Sequence, residues 1–372
     1  MDTARTYIFA GGGTGGHLFP GIAVAQELQQ RQPRNRLLFV GSEKDLEQSI
    51  LVRHQFEHRS LPVQSLATLR RRPLHFALQN WHAWRAARRL IREERPDVVI
   101  GLGGYASAPI VWAAARARIP VVLLEQNVIP GRTTRWLSRS ASSVCISFPE
   151  ASRQLSTSSR VTVTGNPLRR EITALHRPCD SNTTGTTGRR ELLVLGGSQG
   201  ADSLNDAVLM AVLTLKPELA GWKIIHQTGP RHVDAIQQAY GSMSLDALVK
   251  PFFDDMADRY QAAALVISRA GATTIAELTC CGLPMILLPY PQAADDHQRA
   301  NARSISEHGA AVIVEHAANP IDTAQTLALQ LKSLVADPAR RQAMSVAAME
   351  VARPNAAASV ADEILALVRS RN

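Results

Sequence analysis

Two glycine-rich turns, GGGTGGH at Gly11 to His17 and GGSQG at Gly196 to Gly200, limit what this chain can fold into more than any other feature. Each follows a short apolar run, Tyr7 to Ala10 and Glu191 to Leu195, and each opens into a segment with helical spacing. A strand that turns through glycine into a helix leaves bare backbone N–H groups at the helix N-terminus, where anions bind. Two such turns, each heading its own series of strands and helices, predict an α/β protein of two Rossmann-like domains, with parallel sheets facing a central cleft. A nucleotide diphosphate is the expected occupant.

The rest of the chain fits that plan. At 372 residues and 45% hydrophobic content it can bury two cores. Apolar strand candidates recur at Arg36 to Val40, Asp97 to Leu102, Pro120 to Leu124, Ser143 to Ser147 and Arg160 to Thr164. A second set follows at Trp222 to His226, Ala247 to Phe253, Ala264 to Ser268, Pro284 to Pro289 and Ala311 to Glu315. HRPCDSNTTGTTGRR, from His176 to Arg190, is the most loop-like stretch and marks the interdomain linker. The expected boundaries are an N-terminal domain over 1–168, a linker over 169–190, a C-terminal domain over 191–352 and a last helix over 353–372 that packs back toward the N-terminal domain. Beyond Pro320 the pattern is helical, with Leu327, Leu331 and Leu334 on one face and Ile364, Leu367 and Val368 on another.

Several classes drop out. Cys145, Cys179, Cys280 and Cys281 lack paired metal spacing, and two adjacent cysteines do not readily bond each other, so a reducing compartment is expected. The opening MDTARTYIFAGGG reads as a first strand rather than a signal peptide, and no apolar run approaches a membrane span. The charge is lopsided. Residues 1–165 hold 22 Lys+Arg against 11 Asp+Glu, and the remainder 19 against 21, so the whole positive surplus lies in the first half. Its partner is a nucleic acid, an anionic membrane surface or an anionic substrate.

Gly11, Gly13 and Gly16 satisfy G-x-G-x-x-G, but the acidic residue of a dinucleotide site would have to be Glu43, which comes late. His17 sets this turn apart. At the start of a helix the dipole favours the neutral imidazole, which can act as a base; a plain capping histidine is the alternative. Ser198 adds a hydroxyl to the second turn, a phosphate cradle unless the glycines serve geometry alone. A third strand-to-helix turn, SRAGATTIAE, ends on Glu277. That carboxylate can accept both hydroxyls of a ribose, or it can close a capping box with Thr274.

GGGTGGHLFPGIAVA, GLGGYASAP, LLEQN, TGNPLR, GGSQGA, PFFDDM, SRAGATTIAEL and PYPQAADDHQRANA occur in the order and approximate spacing of the MurG family, which the chain resembles over essentially its whole length. Those enzymes transfer N-acetylglucosamine from its UDP derivative to undecaprenyl-diphosphate-N-acetylmuramoyl-pentapeptide in peptidoglycan synthesis. The resemblance implies a GT-B fold, with an acceptor- and membrane-binding N-terminal domain and a UDP-N-acetylglucosamine-binding C-terminal domain. It implies donor contacts from Thr14, Gly15, Gly16, Asn127, Arg169, Ser198, Gln199, Phe253 (through its backbone, to uracil), Ala272, Thr273, Thr274, Ile275, Ala276, Glu277 and Gln298. Gly13, Gly103, Gly104 and Tyr105 are candidates for the acceptor diphosphate. Two positions depart from the family pattern. Leu124 stands where a histidine usually precedes Glu-Gln-Asn, which excludes any essential role for that histidine here, and Ala264 stands where Asp is frequent.

An inverting transfer needs a base for the acceptor C4 hydroxyl and something to offset the leaving diphosphate. His17 is the first choice of base and Glu125 the alternative. No Asp-x-Asp motif appears in a suitable loop, and helix N-termini with Arg169 can offset the diphosphate, so no cofactor or metal is required. The surplus of positive charge then finds a partner. LRRRPLHFALQNWHAWRAARRLIREE gathers Arg70, Arg71, Arg72, Phe76, Trp81, Trp84 and Arg85 on a basic helix with aromatic anchors, and Trp136 lies among arginines. Peripheral docking on anionic inner-leaflet lipids, at the cytoplasmic face of the cell membrane, is the expectation, with other cell-wall synthesis proteins as neighbours. Single-stranded nucleic acid is the rival, but no recognition motif for it appears. Another GT-B transferase, acting on a different lipid or natural product, is the runner-up activity.

Overall fold

The computed structural model describes residues 4–12, 15–43, 45–63, 73–155, 159–176, 190–197 and 200–369. The chain divides into two compact units, Met1–Arg169 with Arg353–Asn372, and Arg170–Ala352.

Unit 1 alternates strand and helix in the order β1 (Thr6–Gly11), α1 (Gly15–Arg31), β2 (Arg36–Gly41), α2 (Asp45–Arg53), β3 (Glu57–Ser60), α3 (Pro73–Glu94), β4 (Val98–Gly103), α4 (Ala108–Arg116), β5 (Val121–Glu125), α5 (Arg132–Leu137), β6 (Ser143–Ile146) and β7 (Arg160–Val163). All seven strands pair in parallel, in the order β3-β2-β1-β4-β5-β6-β7. A parallel strand covered on both faces needs apolar residues at every position, and β1 meets this demand. Tyr7 and Phe9 enter one core with Phe39, which stacks on Phe9 at 4.8 Å. Ile8 and Ala10 enter the other, against Ala87, Leu90 and Ile91 of α3 and Ile110 and Val111 of α4.

Strand β3 was not foreseen. Its sequence EHRS is polar and largely exposed, and it pairs with β2 alone at the sheet edge, where no alternation of apolar residues is needed.

Unit 2 opens with one helical turn, α6 (Arg170–Thr173). It continues as β8 (Glu191–Leu195), α7 (Asp202–Thr214), β9 (Lys223–Gln227), α8 (Val233–Ser242), β10 (Ala247–Lys250), α9 (Met256–Ala262), β11 (Leu265–Ser268), α10 (Ala272–Cys280), β12 (Met285–Leu287), α11 (His297–Glu307), β13 (Ala311–Ile313), α12 (Pro320–Ala336) and α13 (Pro338–Val351). Its six parallel strands run β10-β9-β8-β11-β12-β13. His176, just after α6, is fastened to α10, since its Nδ1 lies 3.0 Å from the Cys280 carbonyl and so donates to it.

The last helix, α14 (Ala356–Arg369), belongs to unit 1 and packs on α1. A 14-residue helix is marginal alone. Val360, Ile364 and Val368, one turn apart, enter the core of Tyr7 and Phe9, and each stabilises the contact by about 1.5–3 kcal/mol. Glu363 adds polar anchorage by accepting from Arg160, Thr162 and Ser143 of β6 and β7.

Both sheets share one arrangement. Chain order runs outward from the first strand, then reverses on its other side, so that β1 beside β4 and β8 beside β11 are switch points where loops diverge and leave room for a ligand. The two glycine-rich turns leave β1 and β8 at those points.

Candidate functional site

In unit 1 the carboxyl ends of β1, β4 and β5 bring together the turn before α1, the Gly103–Tyr105 segment and the Glu-Gln-Asn run. His17 is the third residue of α1, and its ring lies against the bare backbone of β4. A Cβ on Gly103, whose φ is +97°, would sit 3.1 Å from both Cε1 and Nδ1 of the imidazole. Gly104 closes on the same ring and on the Gly12 carbonyl, and Tyr105 follows in a short 3-10 turn. His17 Nδ1 lies 3.0 Å from Gln126 Oε1. Arg169 stacks its guanidinium 5.0 Å from the Phe19 ring centroid, and that ring also borders Gly15, so the arginine reaches the first turn of α1.

Glu125 is arranged differently. It is buried, and its carboxylate braces the following loop, with Oε1 accepting from Asn127 N at 3.0 Å and Asn127 Nδ2 at 3.3 Å, and Oε2 accepting from Gly131 N at 3.0 Å. Both oxygens are thus engaged by the loop that follows, Oε1 twice and Oε2 once. Asn127 is tied to Glu125 by the same contacts. Leu124 points into the core, beside Cys145 across β6.

In unit 2 the equivalent edge is built from β8, β9, β10, β11 and β12. Gly200 has φ +81°, and a Cβ there would meet the Thr228 carbonyl at 2.5 Å, so glycine is required where the chain passes the end of β9. Beneath this turn Asn205 donates to the Thr228 carbonyl and accepts from His226 Nε2. His226 also bonds the Tyr240 hydroxyl, and burial pushes its imidazole down to about 3, so it stays neutral as part of the scaffold.

Glu277 is buried and accepts a hydrogen bond from Tyr260 at 2.8 Å. The capping box with Thr274 is not formed. Helix α10 begins at Ala272 with Gly271 as its N-cap, so Thr274 lies inside the first turn and Glu277 in the second. Along that helix Ala272 and Ile275 are buried, while Thr273, Thr274 and Ala276 are half-buried. The Phe253 ring is buried between Lys250 and Arg259, and its N–H donates to Gln227 Oε1 at 3.1 Å. Gln298 accepts from the Tyr290 amide at 2.9 Å and so holds the loop after β12. Arg269, inside SRAGA, donates to the Leu288 carbonyl and Ser203 Oγ, contacts His316, and is pushed down to about 10 by burial.

Gly13, Thr14, Ser198, Gln199, Arg70, Arg71 and Arg72 lie outside the described residues, as does the Phe76 side chain. The remaining aromatics of the basic helix line up on unit 1. Trp81, Trp84, Trp112 and Trp136 form a file with successive centroid separations of 5.0, 5.5 and 6.4 Å, and its two ends are about half exposed, Trp81 at 53% and Trp136 at 50%. Arg88 and Arg116 cover the two inner rings, and Arg85 is exposed. Among the described residues no helix is long and apolar enough to cross a membrane, and no group of three or more His, Cys, Asp or Glu side chains could hold a metal ion. Burial pushes the thiols of Cys145 and Cys280 up to about 12 and about 11, which marks them as packing residues rather than nucleophiles.

Three contacts were not foreseen in the sequence: Gln126 on His17, Tyr260 on Glu277 and Gln227 on Phe253. Only Gln126 stood beside residues already singled out, in LLEQN.

Two Rossmann-type units, each with a glycine-turned helix at its switch point, define the GT-B class of sugar-nucleotide enzymes. Residues 7–146 match the glycosyltransferase family 28 N-terminal domain and residues 191–363 its C-terminal domain. The UDP-N-acetylglucosamine--N-acetylmuramyl-(pentapeptide) pyrophosphoryl-undecaprenol N-acetylglucosamine transferase of Geobacter sulfurreducens is 41% identical over 367 residues, which cover 97% of this chain and 98% of that protein. The crystal structure of Acinetobacter baumannii MurG matches with a TM-score of 0.78 at 30% identity, covering 97% of this chain and 99% of that one. A kitacinnamycin glycotransferase shares the fold alone, with a TM-score of 0.72 at 18% identity over 98% of this chain and all of that one. The chain belongs to the MurG family of glycosyltransferases.

Proposed function

We propose that the protein transfers N-acetylglucosamine, with inversion, from UDP-N-acetylglucosamine to the C4 hydroxyl of the N-acetylmuramoyl-pentapeptide carried on undecaprenyl diphosphate. The observation that carries this reading is the end-to-end likeness to the Geobacter sulfurreducens relative, whose name gives the sugar nucleotide and the lipid-linked muramyl-pentapeptide. In this reading the strand ends of unit 2 take the UDP. Glu277 accepts the ribose hydroxyls, the backbone at Phe253 meets uracil, α10 lines the nucleoside, and the turn at Gly196 to Gly200 with the α7 N-terminus receives the diphosphate. Unit 1 takes the acceptor at Gly103, Gly104 and Tyr105, and supplies His17, Asn127 and Arg169.

The base follows from the geometry of unit 1. With Nδ1 turned to Gln126, His17 has Nε2 left to take the proton of the C4 hydroxyl as that oxygen attacks the anomeric carbon. The bond from that carbon to the diphosphate breaks on the opposite face, and UDP departs with the electron pair. Glu125, with both oxygens holding the loop, is better suited to shaping the Asn127 segment than to accepting a proton. The reading needs no metal, because Arg169 and the α7 N-terminus offset the negative charge of the leaving group.

The tryptophan file with its arginines is the surface by which the protein meets anionic lipid at the cytoplasmic face of the membrane, where the acceptor resides. One assay tests both parts. Protein incubated in EDTA with sugar-labelled UDP-N-acetylglucosamine and acceptor-loaded anionic vesicles should give labelled disaccharide lipid. Replacing Trp81 and Trp136 by Glu should abolish transfer on vesicles and spare it on detergent-dispersed acceptor. No product from either form of the acceptor would refute the transfer; equal loss in both would refute the docking surface.

A further inference from the structure

A base at position 17 works only if the nitrogen offered to the acceptor is the bare one, and a neutral imidazole can place its proton on either ring nitrogen. The partner of Nδ1 decides which. A carboxamide oxygen only accepts, so the 3.0 Å contact between Nδ1 and Gln126 Oε1 requires the proton on Nδ1. The carboxamide is held from turning around. Its Nε2 donates to the Leu102 carbonyl at 3.4 Å, and a flipped amide would set oxygen against oxygen at that point. Gln126 is only 3% exposed, so water does not compete for these contacts. Gly103 leaves just enough room for the ring, with a would-be Cβ 3.1 Å from two of its atoms.

From this arrangement we infer that Gln126 is a positioning residue that fixes His17 in the Nδ1–H tautomer and leaves Nε2 as the proton acceptor. The inference rests on the reading of His17 as the base. Three elements cooperate: the Leu102 carbonyl of β4 orients the carboxamide that follows β5, and the carboxamide orients the imidazole of α1. Neighbouring Glu125 does not substitute for it, since both its oxygens are held by Asn127 and Gly131.

The ring 15N chemical shifts of His17, assigned by their absence in His17→Gln, report the tautomer directly. The native protein should show a protonated Nδ1 and a bare Nε2. Gln126→Leu should give mixed tautomers and lower kcat on the order of 100-fold, with KM for UDP-N-acetylglucosamine unchanged. Gln126→Glu should restore the native shifts and most of the turnover, because a carboxyl group accepts from Nδ1 on one oxygen and, when protonated, donates to Leu102 on the other. A native ring protonated on Nε2, or native shifts and turnover in Gln126→Leu, would overturn the inference. The native shifts decide the matter even if the leucine variant folds poorly. Normal turnover by His17→Ala would instead remove the base assignment, whatever the tautomer.

Discussion

His17→Ala should lower kcat by about 10²- to 10⁴-fold, the usual contribution of a positioned general base, while UDP binds as tightly as before. The separation of the two effects follows from the fold. His17 belongs to unit 1, on α1 after β1, whereas the residues assigned to the uridine, Phe253 and α10 with Glu277, belong to unit 2. Removing the imidazole empties the space beside Gly103 and leaves β8, β11 and α10 untouched. Single-turnover kinetics together with calorimetric titration of UDP measure the two quantities independently. A variant that keeps near-native turnover would move the proton transfer to another group, and one that loses UDP affinity would place the nucleotide elsewhere.

Glu277→Ala should raise KM for UDP-N-acetylglucosamine roughly 10- to 100-fold, as expected for losing charged hydrogen bonds worth about 1.5–3 kcal/mol. Part of that loss comes from the protein itself, because the buried carboxylate accepts from Tyr260 and its removal takes that hydrogen bond away. Glu277→Gln separates the contributions. It retains an acceptor for Tyr260 but presents a weaker, uncharged partner to the ribose, so it should fold as the native protein does and still show a raised KM. Steady-state titration of the donor at saturating acceptor gives the values. An unchanged KM in both variants would leave Glu277 with a purely internal role.

Much of this was legible in the sequence because the signals are local. A strand, a glycine turn and a helix within some 15 residues announce a switch-point loop, and both turns fall where the sheets reverse order. The polar edge strand β3 escaped notice because the exposed EHRS lacks any apolar pattern and is a strand only through its pairing with β2. Thr274 and Glu277 show the opposite failure: the residues match a capping box, but the backbone starts the helix three residues earlier, after Gly271. Gln126 was hidden for a third reason. Its partner is 109 residues away, and only the pairing of β1, β4 and β5 through the sheet brings the carboxamide to the ring.

In the proposed function labour is divided, with the uridine held by the strand ends of unit 2 and the acceptor and base by those of unit 1. Hydrogen exchange measured by mass spectrometry with and without saturating UDP tests it most directly. UDP alone should slow exchange in peptides spanning 196–204, 250–256 and 268–280 and leave those spanning 98–107 as they were. Protection confined to 98–107 and the start of α1, with none at α10, would contradict the account.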